Sequence, residues 1–167
     1  MVSGLTVDLI LFNNLFKMKF IRQIILLIIA GVFFSCGNNS SISTANKPVE
    51  ELRKNMATDR VEVMFFHNHE RCSSCLNMEK LTKEVVDTYF TQQVKDGKLV
   101  LLIIDIEDKN NTEVTDDYQV IWTSLYLNKW QNGTESRHNM TEFAFLNVDS
   151  SPDEFKEGIR KQIEELL

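Results

Sequence analysis

A run of six β-prone residues, Val61-Glu62-Val63-Met64-Phe65-Phe66, breaks into the polar segment His67-Asn68-His69-Glu70-Arg71 and then into Cys72-Ser73-Ser74-Cys75. Leu76 to Val94 behind it carries helical periodicity, which places both cysteines on a turn from a buried strand into a helix. This arrangement constrains chemistry as well as fold. At a helix N-terminus the unpaired N–H groups and the positive end of the macrodipole favour a thiolate, and Arg71 beside Cys72 acts in the same sense. Cys72 is therefore expected to be the acidic, attacking sulfur, and Cys75, one turn on, the more buried resolving sulfur. The bland alternative is a structural disulfide or a pair of inert thiols, but a ring this short is a poor staple for a domain.

The rest of the chain supplies partners for that strand and helix. Met78, Leu81, Val85 and Tyr89 form one apolar face of the helix, with Leu76, Val86, Phe90 and Val94 beside them, and Gly97 stops it. Leu99 to Ile104 lacks polar alternation, which predicts a strand buried on both faces and parallel to Val61–Phe66 across a right-handed crossover. Asn111 to Tyr118 reads as a short helix capped by Thr112, and Leu125 to Lys129 as a third strand. The Asn132-Gly133 dipeptide predicts a hairpin, with Thr134 to Arg137 returning as an edge strand. Asn139 to Leu146 opens a last helical region. Ser151-Pro152-Asp153-Glu154 reads as a capping box, and Phe155, Ile159, Ile163 and Leu166 give the closing helix its apolar face. Trp130, Phe143 and Phe145 are assigned to the core and His138 to the surface, while Pro48 to Met56 is a helix expected to pack loosely. At 167 residues and 43% hydrophobic content the chain supports one core, assigned to residues 59–167.

This order of elements resembles thioredoxin, which implies an α/β, three-layer fold with a mixed sheet of about four strands and flanking helices. Thioredoxin-like proteins carry a Tyr-x-Val-x-x-Thr-Pro-Thr segment before the third strand. Tyr118-Gln119-Val120-Ile121-Trp122-Thr123-Ser124-Leu125 fits that frame, with Ser124 where the family has a cis-proline. A cis bond without proline costs about 3 kcal/mol, so Thr123–Ser124 is expected to be trans. The resemblance places Trp122, Thr123 and Ser124 opposite the cysteines, where Trp122 would shield the disulfide or stack on an aromatic substrate. Core packing is an equal alternative for that indole.

Residues 60–167 more closely resemble the nitrophenyl compound nitroreductase subunit ArsF family. The resemblance rests on Val63-Met64-Phe65-Phe66-His67, Arg71-Cys72-Ser73-Ser74-Cys75, Trp122-Thr123-Ser124-Leu125, Asn128-Lys129-Trp130 and Asn139-Met140-Thr141-Glu142-Phe143-Ala144-Phe145. It implies electron transfer in the reduction of aromatic nitro compounds, nitroaryl arsenicals included, with a thiol/disulfide protein or nitroreductase-type subunit as partner. No Gly-x-Gly-x-x-Gly occurs among the six glycines, so no nucleotide fingerprint is visible and a redox-active disulfide is the only cofactor expected.

The N-terminal segment reads as an address. Lys17, Lys19 and Arg22 form a positive region ahead of Ile24 to Phe34, an apolar run of eleven residues, shorter than the roughly 20 that span a bilayer. Residues 1–17 then look like an extension upstream of a start at Met18. Phe33-Phe34-Ser35-Cys36-Gly37 resembles a bacterial lipobox, which implies a signal peptide over 1–35 and a lipid on Cys36. A plain signal peptide or an uncleaved anchor is the alternative, since Phe33 and Phe34 depart from the lipobox pattern. Residues 36–58 would tether the domain to the membrane, in the cell envelope and facing the periplasm. With lipid on Cys36, only the two cysteines of the CxxC pair remain of the three. The net charge of −6 and the lack of a basic cluster argue against nucleic acid.

The favoured expectation is an exported thiol–disulfide redox protein. A binding module is the first alternative: His67, His69, Cys72 and Cys75 are four donors that zinc or copper accepts, and the dithiol could hold a trivalent arsenical. Against it, both rings would have to fold back over the helix start, so proton carrier or hydrogen-bonded loop histidine is the favoured role for His67 and His69. A non-catalytic envelope adaptor is the second alternative. Glu62 and Asp105 are weighed as proton acceptors for Cys75, and both read as solvated charges.

Overall fold

In the computed structural model, residues 41–43, 48–56 and 59–167 are described, all within one unit spanning residues 39–167. The proposed signal peptide, Cys36 and residues 37–40, 44–47 and 57–58 of the tether lie outside the described residues. The elements are β1 (Ser41–Ser43), α1 (Val49–Lys54), β2 (Arg60–His67), α2 (Ser73–Tyr89), α3 (Thr91–Lys95) and β3 (Leu99–Asp105). A 3-10 turn (Lys109–Asn111) leads to α4 (Thr112–Tyr118), β4 (Ser124–Gln131), β5 (Thr134–Asn139), α5 (Thr141–Asn147) and α6 (Pro152–Leu166).

The sheet order is β1-β3-β2-β4-β5. β2 lies parallel to β3, with Val61 opposite Leu99, and antiparallel to β4, with Phe66 opposite Ser124. Four strands are those expected, and the three-residue β1 adds a parallel edge on β3 from a stretch read as tether. The hairpin forms on Asn132 and Gly133, at φ 52° and 75°, a left-handed pair that a two-residue turn requires.

Strand alternation divides the core between the two faces of the sheet. Val61, Val63 and Phe65 pack with Met78, Val85 and Val86 of α2 and with Phe155, Ile159 and Ile163 of α6. Met64 and Phe66 pack on the other face with Val49 of α1 and Val114 and Tyr118 of α4. The result is three layers. Gly158 of α6 lies where a Cβ would overlap the Phe143 ring, so the absence of a side chain lets α5 approach α6.

Several expectations need correction. Helix α1 is anchored, not loose: Val49 is fully buried, and Arg53 reaches Glu62. Leu76 and Tyr89 are exposed, as is Phe145, because α2 and α5 meet the sheet along narrower stripes than the apolar residues suggest. Trp130 is half-buried, its indole N–H donating to Glu62 at 3.0 Å. Neither Thr112 nor Ser151 caps its helix through its side chain. Thr112 donates to the Lys109 carbonyl, and α6 starts from Pro152 at its first position without the capping box.

Candidate functional site

β2 delivers the chain into the loop 68–72, and Cys72 is the N-cap of the 17-residue α2. Its Sγ accepts the Cys75 amide N–H at 3.2 Å. A sulfur seated on an otherwise unpaired helix N–H is where negative charge gains most from the helix field. Cys72 and Cys75 are joined as a disulfide with their Cα atoms 5.2 Å apart. Cys72 is exposed, whereas Cys75 retains only 7% of its surface. One sulfur is thus open to an incoming thiolate and the other is shielded by the domain.

The segment 121–124 stands at the same end of the sheet, since Ser124 opens β4 opposite Phe66 at the close of β2. No described peptide bond is cis, and Thr123–Ser124 is trans as expected. Thr123 and Ser124 are buried, and the Ser124 hydroxyl donates to the Trp122 carbonyl at 3.1 Å. Ile121 and Trp122 are instead 75% and 64% exposed, which removes Trp122 from the core. Together with Val120, Tyr126 and Phe145 they line a cleft of about 920 Å³.

The fold is thioredoxin-like. The chain is similar to human ERp44 at 13% identity and a TM-score of 0.52, over 78% of this chain and 30% of that one. It is also similar to Trichomonas vaginalis thioredoxin, at 12% identity and a TM-score of 0.49, over 75% and 99% of the two chains. A thioredoxin-like protein from Clostridium perfringens aligns at 16% identity and a TM-score of 0.46, over 81% and 90%. No family model and no curated protein matches the chain.

Around the thioredoxin-like CxxC turn the charges are arranged differently from a simple cationic shell. The Arg71 guanidinium pairs with Glu79, which also holds Lys83. Burial pushes the Glu79 carboxyl up, but Lys83 and Arg71 together leave it below its ordinary value. Arg71, next to Cys72 in sequence, is therefore one half of an ion pair, and its pull on a thiolate there is largely cancelled. Glu79 escaped the sequence reading although it lies one helical turn beyond Cys75, a spacing that i, i+4 counting exposes.

His67 is 8% exposed, at the end of β2. Its Nδ1 lies 3.1 Å from the Asn68 carbonyl oxygen, and burial lowers its pKa despite that contact. His69 is drawn the other way: Nε2 meets Asp105 at 2.8 Å, Nδ1 meets Glu107, and its backbone N–H donates to Glu107. The set His67, His69, Cys72 and Cys75 is thus not gathered for a metal. Among the described residues only His69, Asp105 and Glu107 bring three potential ligand atoms within 4.8 Å of one another. Even there the two carboxylates flank opposite ring nitrogens, and a single ion cannot take all three donors without turning the ring. Asp105 is partly exposed and lies against the His69 ring, whereas Glu62 is fully buried. Glu62 is therefore not the solvated carboxylate expected.

The dipeptide between the cysteines is also tied down. Ser74 donates its hydroxyl to Asp149, and Asn77 donates its side-chain amide to the other carboxylate oxygen at 3.0 Å. Asp149 follows α5 and lies 75 positions from Ser74. No local sequence signal points to it.

Proposed function

We propose that this protein is a thiol–disulfide redox protein in which Cys72 exchanges with partners and Cys75 resolves. The observation that carries the reading is the asymmetry of the pair: an exposed sulfur on the helix N–H and a buried one 5.2 Å away between Cα atoms. In the reducing direction a partner thiolate attacks Cys72 Sγ, the Cys72–Cys75 bond breaks, and Cys75 leaves as a thiolate that takes up a proton. A second partner thiolate then attacks the partner sulfur of the mixed disulfide and releases Cys72. The partner is oxidised to a disulfide and two electrons rest on the dithiol. The reverse sequence passes them on to an acceptor.

The apolar cleft beside Trp122 supports an acceptor or partner segment with an aromatic or aliphatic side chain, since indole faces left in water favour such contacts. With the resemblance to the ArsF family, this extends the proposal to electron delivery for nitroaryl reduction through a nitroreductase-type subunit. Export, lipid attachment at Cys36 and a place in the cell envelope belong to the same proposal. They are supported by the basic segment, apolar run and Ser35-Cys36 of the N-terminus.

The test is an equilibrium titration of the full-length chain against glutathione redox buffers, with metal content measured on the same sample. A two-electron transition that disappears in Cys72→Ser is expected. Persistent stoichiometric metal without a transition would replace exchange chemistry with metal binding.

A further inference from the structure

A thiolate on Cys72 would be stabilised by the N-terminal end of α2, and a second anion at that end would compete for the same field. Asp149 is such an anion. Its two carboxylate oxygens are held separately by Ser74, between the cysteines, and by Asn77, on the following turn. Two hydrogen bonds from the same helix fix its position, and it arrives from the loop between α5 and α6, so the contact is tertiary. The nearest countercharge in sequence, Arg71, is already paired with Glu79.

We propose that Asp149 is a positioning residue that tempers the acidity of Cys72 and thereby shifts the CxxC pair toward the reducing side. This rests on the thiol–disulfide reading above. The Ser74 and Asn77 hydrogen bonds keep the Asp149 carboxyl below its usual range, so it stays ionised across the range in which a thiol titrates. In the disulfide form Cys72 carries no charge and Asp149 costs nothing. In the dithiol form a Cys72 thiolate shares the helix end with a fixed carboxylate, and the two repel. The repulsion destabilises only the reduced protein, so the disulfide is favoured and the dithiol gives up its electrons more readily. The Ser73-Ser74 dipeptide thus acts partly through a residue remote in sequence, with Ser74 as the handle by which Asp149 is held.

The test compares the full-length parent with Asp149→Asn and Ser74→Ala. Asp149→Asn preserves shape and removes the charge, and Asp149 is on the surface, so folding is checked by an unchanged thermal midpoint. Two quantities are read: the pH midpoint of Cys72 alkylation by iodoacetamide, and the glutathione equilibrium constant at pH 9, where the Cys72 thiolate is populated. In Asp149→Asn the midpoint is expected to fall by about half to one pH unit. The constant for disulfide formation is expected to fall about three- to tenfold, which is roughly 15–30 mV toward the oxidising side. Ser74→Ala releases the carboxylate and should shift both quantities the same way by less. A folded Asp149→Asn with the parent's midpoint and constant would overturn the role of Asp149 while leaving exchange chemistry intact. A parent with no two-electron transition would overturn the underlying reading and this inference together.

Discussion

At the N-terminal end of β2 the Glu62 carboxylate is fully buried, whereas at the C-terminal end of the same strand the charges around the CxxC turn are half in water. Glu62 receives Arg60 Nε at 2.8 Å, Arg53 Nε at 3.2 Å and the Trp130 indole at 3.0 Å. Arg53 also reaches Glu50 and Glu135. Burial alone would lower the Arg53 pKa, but Glu62 and its neighbours more than offset this and hold it above its ordinary value. Tyr118 is pushed up by burial, with its hydroxyl donating to Glu135. At the other end Arg71, Glu79, His69 and Asp105 form pairs that remain accessible. The first group locks α1 to the sheet; the second leaves room for chemistry. One strand therefore has a structural end and a reactive end, and burial separates them.

Removing charge at each end should have opposite kinds of consequence. The largest effect is expected from Glu62→Ala, which removes the buried acceptor that Arg53 and Arg60 share, while Arg53 keeps Glu50 and Glu135. It should cost about 3–5 kcal/mol in denaturant unfolding, with the glutathione equilibrium of the remaining folded protein unchanged. A cost below about 1 kcal/mol would show that the network is not structural. Glu79→Gln should cost much less, within about 1 kcal/mol for a partly exposed pair. It should, however, free Arg71 and lower the Cys72 alkylation midpoint. If Glu79→Gln lowered stability as much as Glu62→Ala and left alkylation untouched, the distinction between the two ends would fail.

The smallest effect concerns His67. Burial holds its imidazole below the ordinary value of 6.5, so the unfolded chain takes up this proton first as pH falls. Its contribution is fully present above pH 6.5 and is lost below that value, down to the depressed native pKa. His67→Gln should flatten this part of the stability–pH profile measured by urea unfolding. An unchanged slope would mean that His67 titrates alike in both states.

Most of the fold was legible because its signals are local. The uninterrupted apolar run at Leu99–Ile104, the Asn132-Gly133 turn and the cysteines after Phe66 each state their geometry within a few residues. Burial of charge was not legible. Glu62 and Asp105 look alike in a strand, and only the approach of Arg53 from α1, with Arg60 and Trp130 alongside, makes Glu62 a buried ion-pair acceptor. Arg71 looked free for the same reason, since Glu79 comes from a turn deeper in α2. Trp122 and Phe145 share the composition of core residues, yet the chain leaves them lining a cleft. Asp149 shows the limit most clearly: its partners lie 75 and 72 positions away.

The central claim is that backbone geometry makes the two sulfurs unequal. It is tested most directly by reducing the full-length protein, alkylating it across a pH series, and mapping each cysteine by mass spectrometry. Cys72 should react first, with a midpoint below the ordinary thiol value of about 8.5, and Cys75 should lag until far higher pH. Equal reactivity of the two thiols, or Cys75 reacting first, would contradict the account.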